Sequence, residues 1–427
     1  MPKAIESPHT KRNFRHIAAG GVLFQGGAAA IDTSTIVAGL VHGLTGSTFA
    51  VGAAAAIARY GWLFPQLFVA HVAQGRTYRM PLYRLGAFGR VVCLVGLAAL
   101  LWLGGDLPRG PLTAGFFILW TVYAFVGGIV AAPYNDIVAR AVASERRSRL
   151  LAVRFFGGGV LALGVAALAH RALAVTEGLP FTFGYAAIFL LGAALLAGSA
   201  TAFSTAVEPP APPSPAGSSF RAFLADGLQV LRDDPRFRRF LAAQWLGGAA
   251  AMALPFYILQ PGRVAGAQEA DVALLLGAQT AGMLLSNPLW GWWGDRLGKL
   301  SLLLLVAALR GLAPALTLAW LVLGTEDRET ALLWFGLVFF LLGAVGNGGI
   351  IAQLGYLMEI SPDDRRPAYS GYFNMLAAPA ALLPMLGAVL VGAFSFTVLF
   401  ACSLVAALLH FLAVLRLRAV TVESAEP

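Results

Sequence analysis

The chain has 427 residues, of which 58% are hydrophobic and only 12% charged, with a mean hydropathy of +0.75 and a formal net charge of +9. A soluble domain carries about 25% charged residues, so this composition excludes a water-soluble globule and calls for lipid as solvent. The basic balance does not point to nucleic acid, because no basic patch stands clear of the apolar segments or alternates with aromatic residues.

A spanning helix needs roughly 20 apolar residues. In chain order such stretches are predicted at 17–40, 48–71, 85–104, 112–135, 150–172 and 183–205, then at 237–260, 270–293, 300–323, 331–356, 369–392 and 395–415. The expected fold class is therefore an all-α membrane protein with twelve transmembrane helices in two pseudo-symmetric six-helix bundles. An even count puts both termini on one side. Most Lys and Arg residues fall on that side. Only Arg109, Arg171, Arg263 and Arg328 fall opposite, and Arg59, Arg90 and Arg310 lie within spans. Basic residues concentrate in cytoplasmic loops, so both termini are expected in the cytoplasm. Arg in excess of Lys, with abundant Ala and Gly, suggests a bacterial inner membrane. The first apolar run is longer than a signal-peptide core and no cleavage site follows it. Cys93 and Cys402 fall within spans and imply neither a disulfide framework nor a metal site; no cofactor is expected.

The segment "EPPAPPSPAGSS" (208–219) is rich in Pro and Ser and reads as a semi-extended linker. The following "FRAFLADGLQVLRDDPRFRRF" (220–240) places Phe220, Phe223, Leu224, Leu228 and Leu231 on one stripe. It is predicted to be a short amphipathic helix, lying on the membrane face or against the bundle's own ends. The expected domains are 1–205, a cytoplasmic linker 206–236, and 237–427. The halves share spaced matches. Gly26–Ala30 recurs as Gly247–Ala251, Pro65 as Pro288, Gly75 as Gly298, Arg79 as Lys299, Arg90 as Arg310, and Asp136 as Glu359. Such matches in chain order fit a duplicated six-helix unit.

The densest local motif is "GWWGDRLGKLS" (291–301), between the predicted eighth and ninth spans. Gly298 suits the tight turn, and Asp295 can cap the next helix or pair with Arg296 or Lys299. The motif resembles the G-x-x-x-D-R-x-G-R/K signature of the major facilitator superfamily, matched at Gly291, Asp295, Arg296, Gly298 and Lys299. The first-half counterpart "VAHVAQGRTYR" (69–79) keeps Gly75 and Arg76, but Val72 and Ala73 replace the acid and first base. The loops "PYNDIVARAVASERRSR" (133–149) and "YLMEISPDDRRPAYSG" (356–371) resemble the family's acid-and-Arg loops, with Asp136 and Arg146, and Glu359 and Arg365, as helix-end gates or as ordinary cytoplasmic charges. The resemblance implies a central cavity between the halves and transport by rocking one half against the other. No nucleotide-binding loop is present, so secondary transport is expected.

A charge within the bilayer costs about 2.5–3.5 kcal/mol on insertion scales and needs a reason. Asp32 is the only acid in the first span, on a small or polar face with Gln25, Ala28, Ala29, Thr35 and Gly39. Arg59 and Gln66 lie in the second span at comparable depth. Asp32 and Arg59 can form a proton-coupling or substrate site, or a static ion pair. "IDTSTIV" (31–37) also resembles the D-x-T-I-V element of drug/proton antiporters in the superfamily, although the fifth span (155–170) lacks their G-P-x-x-G-G element. Gln244, Tyr257, Gln279, Asn347, Gln353 and Asn374 are expected cavity-lining residues or neutral ties between helices. Pro379 and Pro384 are expected to bend the eleventh span. Gly157–Gly159 and Gly164 permit close helix approach, and Arg90 and Arg310 read as structural.

The expected function is proton-coupled secondary transport of a small organic solute by one chain acting alone, in contact with membrane lipid and no nucleic acid. The alternative is a transporter-like protein that binds or delivers a hydrophobic pigment or lipid, or assists assembly of a membrane complex. An enzyme is disfavoured, because no His/Asp/Glu cluster occurs within any span.

Overall fold

The computed structural model describes residues 10–74, 76–105, 107–142, 144–176, 178–210, 220–260, 269–324, 327–361 and 366–423. The linker expectation for 211–219 and the gate residue Arg365 lie outside the described residues. Among the described residues every regular element is helical, and nine helical segments are long and apolar enough to cross a membrane. The chain divides into two compact units, Met1–Asp32 with Ile57–Gly217, and Thr33–Ala56 with Ser218–Pro427.

The first unit contains α1 (Thr10–Ala29), most of α3 (Thr48–Gln74), α4 (Met80–Leu103), α5 (Arg109–Gly128), α6 (Ala131–Ala141), α7 (Ser144–Val175) and α8 (Thr182–Ser204). Helix α1 packs on α7 and α8, and α4 packs on α5 and α8. Ile17, Tyr83, Ile137 and Phe203 belong to one buried core. The expected glycine contacts occur in part. Gly157 and Gly158 of α7 meet Val22 and Gln25 of α1, whereas a Cβ at Gly164 would enter open space.

The second unit contains α2 (Ile36–Thr45), α9 (Phe220–Asp233), α10 (Pro235–Ala250), α11 (Glu269–Arg296), α12 (Lys299–Leu309), α13 (Leu312–Leu323), α14 (Arg328–Ile360), α15 (Arg366–Ala377), α16 (Leu383–Ala393) and α17 (Phe396–Glu423). Helix α11 lies along α14, α10 along α17, and α12 against both α14 and α17. Phe237, Phe240, Trp290, Val306, Tyr356 and Tyr372 fill the core. The helix expected over 220–240 is two helices. Asp234 accepts from the backbone N–H groups of Arg236 and Phe237 and caps α10, with Pro235 in its first turn, where the missing N–H is harmless.

Several spans are interrupted. A proline inside a helix collides with the carbonyl four residues earlier and deprives it of its hydrogen bond. Pro133 does this to Ile129, where α5 gives way to α6, and Pro314 to Arg310, where α12 gives way to α13. Pro255 lies four residues after Ala251, the start of a 3-10 segment (Ala251–Phe256) that follows α10. Pro384 does the same to Ala380 within the second 3-10 segment (Ala378–Leu382), giving the expected irregularity of the eleventh span. Pro65 and Pro288 are accommodated inside continuous helices. The break between α1 and α2 has no proline. It holds Asp32, Thr33, Ser34 and Thr35, whose short polar side chains compete with the helical backbone.

Candidate functional site

The first break sits at the residue singled out by its charge. Helix α1 ends at Ala29, Ile31 and Asp32 continue for one tight turn by donating to the carbonyls of Ala28 and Ala29, and α2 begins at Ile36. The second half repeats this geometry. Its helix α10 ends at Ala250, the position equivalent to Ala29 in the GGAAA repeat, and the 3-10 segment follows. Asp32 is partly exposed beside unwound backbone, whereas its counterpart Ala253 is fully buried. A carboxylate next to backbone groups released from helical pairing can hold a cation, a proton or a polar substrate group.

Arg59 lies on α3 with its side chain exposed, and among the described residues no ion pair joins it to Asp32. Gln66 donates to the Trp62 carbonyl of its own helix (2.8 Å). Gln25 fits against Gly158. Within the second unit, Gln279 donates to the Ser34 hydroxyl (3.2 Å), tying α11 to the loop that precedes α2. Asn347 of α14 donates to Asn287 of α11. Tyr257 is buried, and Ser403 donates to the Ala250 carbonyl. The buried Gln244 Nε2 has no hydrogen-bond partner among the described residues. Gln353 is half-buried and Asn374 exposed. A cavity of about 70 Å³ is lined by Ala251, Leu254, Tyr257, Arg310, Ala313 and Gly346, room for about two water molecules. It therefore adjoins both the 3-10 segment and the α12–α13 break.

At the helix ends expected to face the cytoplasm, Asp136 lies within α6 and pairs with Arg79 and with Arg140 (2.9 Å to Nε), while Arg146 is described only by the backbone of α7. Glu208, which sequence reasoning assigned to the linker, completes the cluster. Its carboxylate accepts from the backbone N–H groups of Arg79 (2.7 Å) and Met80 (2.8 Å) and from Arg140 (2.8 Å), and Arg140 also donates to the Pro209 carbonyl. Glu208 thus caps α4, and an acid 128 residues downstream of the helix it caps carries no local signal. Desolvation lowers the Arg79 pKa, Arg140 lowers it further, and Glu208 opposes both.

In the second half, α11 and α12 are joined through Leu297 and Gly298 alone, with Gly298 at φ 89° as the turn requires. Lys299 donates to Asp295 (2.7 Å). Arg296 is exposed, and Gly291 has open space where a side chain would stand. Glu359 lies exposed in the last turn of α14.

A further cluster escaped sequence reasoning because its members come from five helices. Arg90 of α4 and Arg154 of α7 approach the ring of Phe24 of α1, with guanidinium carbons 5.0 and 5.4 Å from its centre. Tyr134 of α6 receives a hydrogen bond from Arg154 (3.1 Å), and Tyr83 and Tyr123 are electrostatic neighbours of Arg90.

Nine helical segments long and apolar enough to cross a membrane, among the described residues, make this a multi-pass membrane protein. Residues 262–427 match the model of the Major Facilitator Superfamily, and the fold of the chain is similar to that of solved transporters. The chain is similar to the nucleoside transporter NupG (14% identity, 95% of this chain and 99% of that chain covered, TM-score 0.69). It is also similar to a POT family transporter in complex with 5-aminolevulinic acid (11%, 97% and 97%, TM-score 0.70) and to a D-xylose-proton symporter (15%, 94% and 97%, TM-score 0.68). None of the curated proteins compared with the chain matches it in sequence.

Proposed function

We propose that the chain is a secondary transporter of twelve spans, six in each half, that moves a small organic solute across a bacterial inner membrane by alternating access. Both termini lie in the cytoplasm. Proton movement is coupled to transport through Asp32. The observation that carries this reading is the break between α1 and α2 with an acid inside it. Broken helices at membrane depth are tolerated where the freed backbone lines a cavity, and intramembrane acids in transporters serve proton relays. A proton symporter among the structural relatives supports the coupling.

The test is solute flux in proteoliposomes with an imposed pH gradient. Asp32→Asn is expected to abolish proton-driven accumulation while leaving exchange of solute across the membrane. Full proton-driven flux in that variant defeats the coupling role. If no solute in a broad panel moves, transport itself fails, and delivery of a lipid or pigment, or an assembly role, takes its place.

A further inference from the structure

Neither the coupling at Asp32 nor the cytoplasmic ion pairs use Arg90 and Arg154. Arg90 is 2% exposed, and among the described residues its Nε has no hydrogen-bond partner; nor does the buried Nε of Arg154. A guanidinium carries five N–H donors. Arg154 gives one to Tyr134, and contact with the Phe24 ring meets the charge of both arginines but satisfies no N–H. The charged and titratable groups that act on Arg90 are Tyr123, Tyr83 and Arg154, two phenols and a second cation, beside the Phe24 ring. Like charges grouped around one ring repel each other, and buried donors without acceptors are costly.

Three other arginines of this protein meet carboxylates. Arg79 and Arg140 meet Asp136, and Arg328 meets Asp271 at 3.0 Å. The aromatic cluster instead offers two positive charges, spare N–H groups in the fork geometry that suits oxyanions, and a wall of rings. Tyr83, Tyr134 and Phe203 pack beside it with their rings tilted to one another, at centroid separations of 4.3 Å (Tyr83–Phe203) and 4.8 Å (Tyr134–Phe203).

We infer that Arg90 and Arg154 form an oxyanion site in the first unit that takes the carboxylate or phosphate group of a small organic anion. The guanidinium groups hold the oxyanion, the Tyr83, Tyr123 and Tyr134 hydroxyls supply further donors, and the rings take the apolar part. The inference deepens the transport reading, since it makes the solute an anion. Its test is equilibrium binding, which needs no translocation, so the two can fail separately.

Thermal unfolding of the purified full chain in neutral detergent is followed with benzoate, inorganic phosphate and neutral benzamide at constant ionic strength. Benzoate and phosphate are expected to raise the midpoint saturably, and benzamide to leave it unchanged. Arg90→Lys and Arg154→Lys keep the charge but lose the fork, and should raise the half-saturating concentration at least tenfold. Exposed Arg239→Gln should not change it. Arg154→Lys carries the test if the Arg90 variant fails to fold, because Arg154 is partly exposed. Repeating the titration in nanodiscs of zwitterionic lipid, with and without phosphatidylglycerol, separates the two sources of oxyanion. Competition by phosphatidylglycerol that requires both arginines assigns the site to a lipid headgroup and overturns the solute assignment. Absence of protection at 10 mM (on the order of the weakest useful affinity), or equal protection in the lysine variants, overturns the site altogether.

Discussion

At the crossing of α11 and α14 two glycines lie against main-chain carbonyls, and adding one carbon there has a calculable effect. A Cβ at Gly282 would overlap the main-chain carbonyl of Phe340, and a Cβ at Gly343 would overlap that of Gln279. The contacts are reciprocal, and each is against backbone, so no side-chain rotation relieves them. To reach ordinary contact the helices must part by about 1 Å or more, which forfeits a quarter to a half of each dispersion contact along the crossing. Alanine returns about 1 kcal/mol of helix propensity relative to glycine, against an overpacking cost of about 1–3 kcal/mol, here at the upper end. Each of Gly282→Ala and Gly343→Ala should therefore destabilise the protein by about 2 kcal/mol. One separation relieves both overlaps while each alanine returns its own propensity, so the double variant should lose about 1–2 kcal/mol, no more than a single variant and well short of the sum. Reversible unfolding in mixed micelles measures all three. Single variants within about 0.5 kcal/mol of the parent, or strictly additive losses, would refute the close crossing.

Two further outcomes follow from the helix ends. Glu208→Gln weakens the cap on α4 and its bond to Arg140, and should cost about 0.5–2 kcal/mol. Hydrogen exchange at the Arg79 and Met80 amides should rise, with little change at the start of α8. Asp327 caps α14 by accepting from the Thr330 backbone and hydroxyl, and these bonds lower its pKa below the usual carboxylate value. Its charge-dependent contribution is therefore present above the unfolded-state pKa and lost as pH falls through the lower folded value. The melting temperature of Asp327→Asn should lie below that of the parent at pH 7 and converge with it in acid.

The helical class was legible because apolar residues run for the length a bilayer demands, as in "MPLYRLGAFGRVVCLVGLAALLWL", the whole of α4. The turn at Gly298 was legible for a local reason, since a two-residue connection needs positive φ. The interruptions at Ile129, Ala251 and Arg310 were equally local, each four residues before a proline, but a hydropathy window averages over them. The Asp32 break had a quieter signal in the run Asp-Thr-Ser-Thr. Glu208 and the Arg90–Arg154 cluster were not legible, because burial and partners there are set by helices far apart in sequence. Arg90 and Arg310 look equivalent in the repeat. Yet Arg90 lies in an unbroken helix against Phe24, while Arg310 lies at a break, beside Gly247 and the buried His410.

The backbone contact between α11 and α14 also has a kinematic meaning. Two helices that touch carbonyl to glycine at two points cannot slide past each other or roll without first coming apart. They act as a single strut, and any deformation within this unit is displaced to joints where the hydrogen-bond ladder is already interrupted. Those joints are the 3-10 segment after α10, the α12–α13 junction and the 3-10 segment between α15 and α16, and each is supplied with a proline that keeps it from closing into a stiff rod.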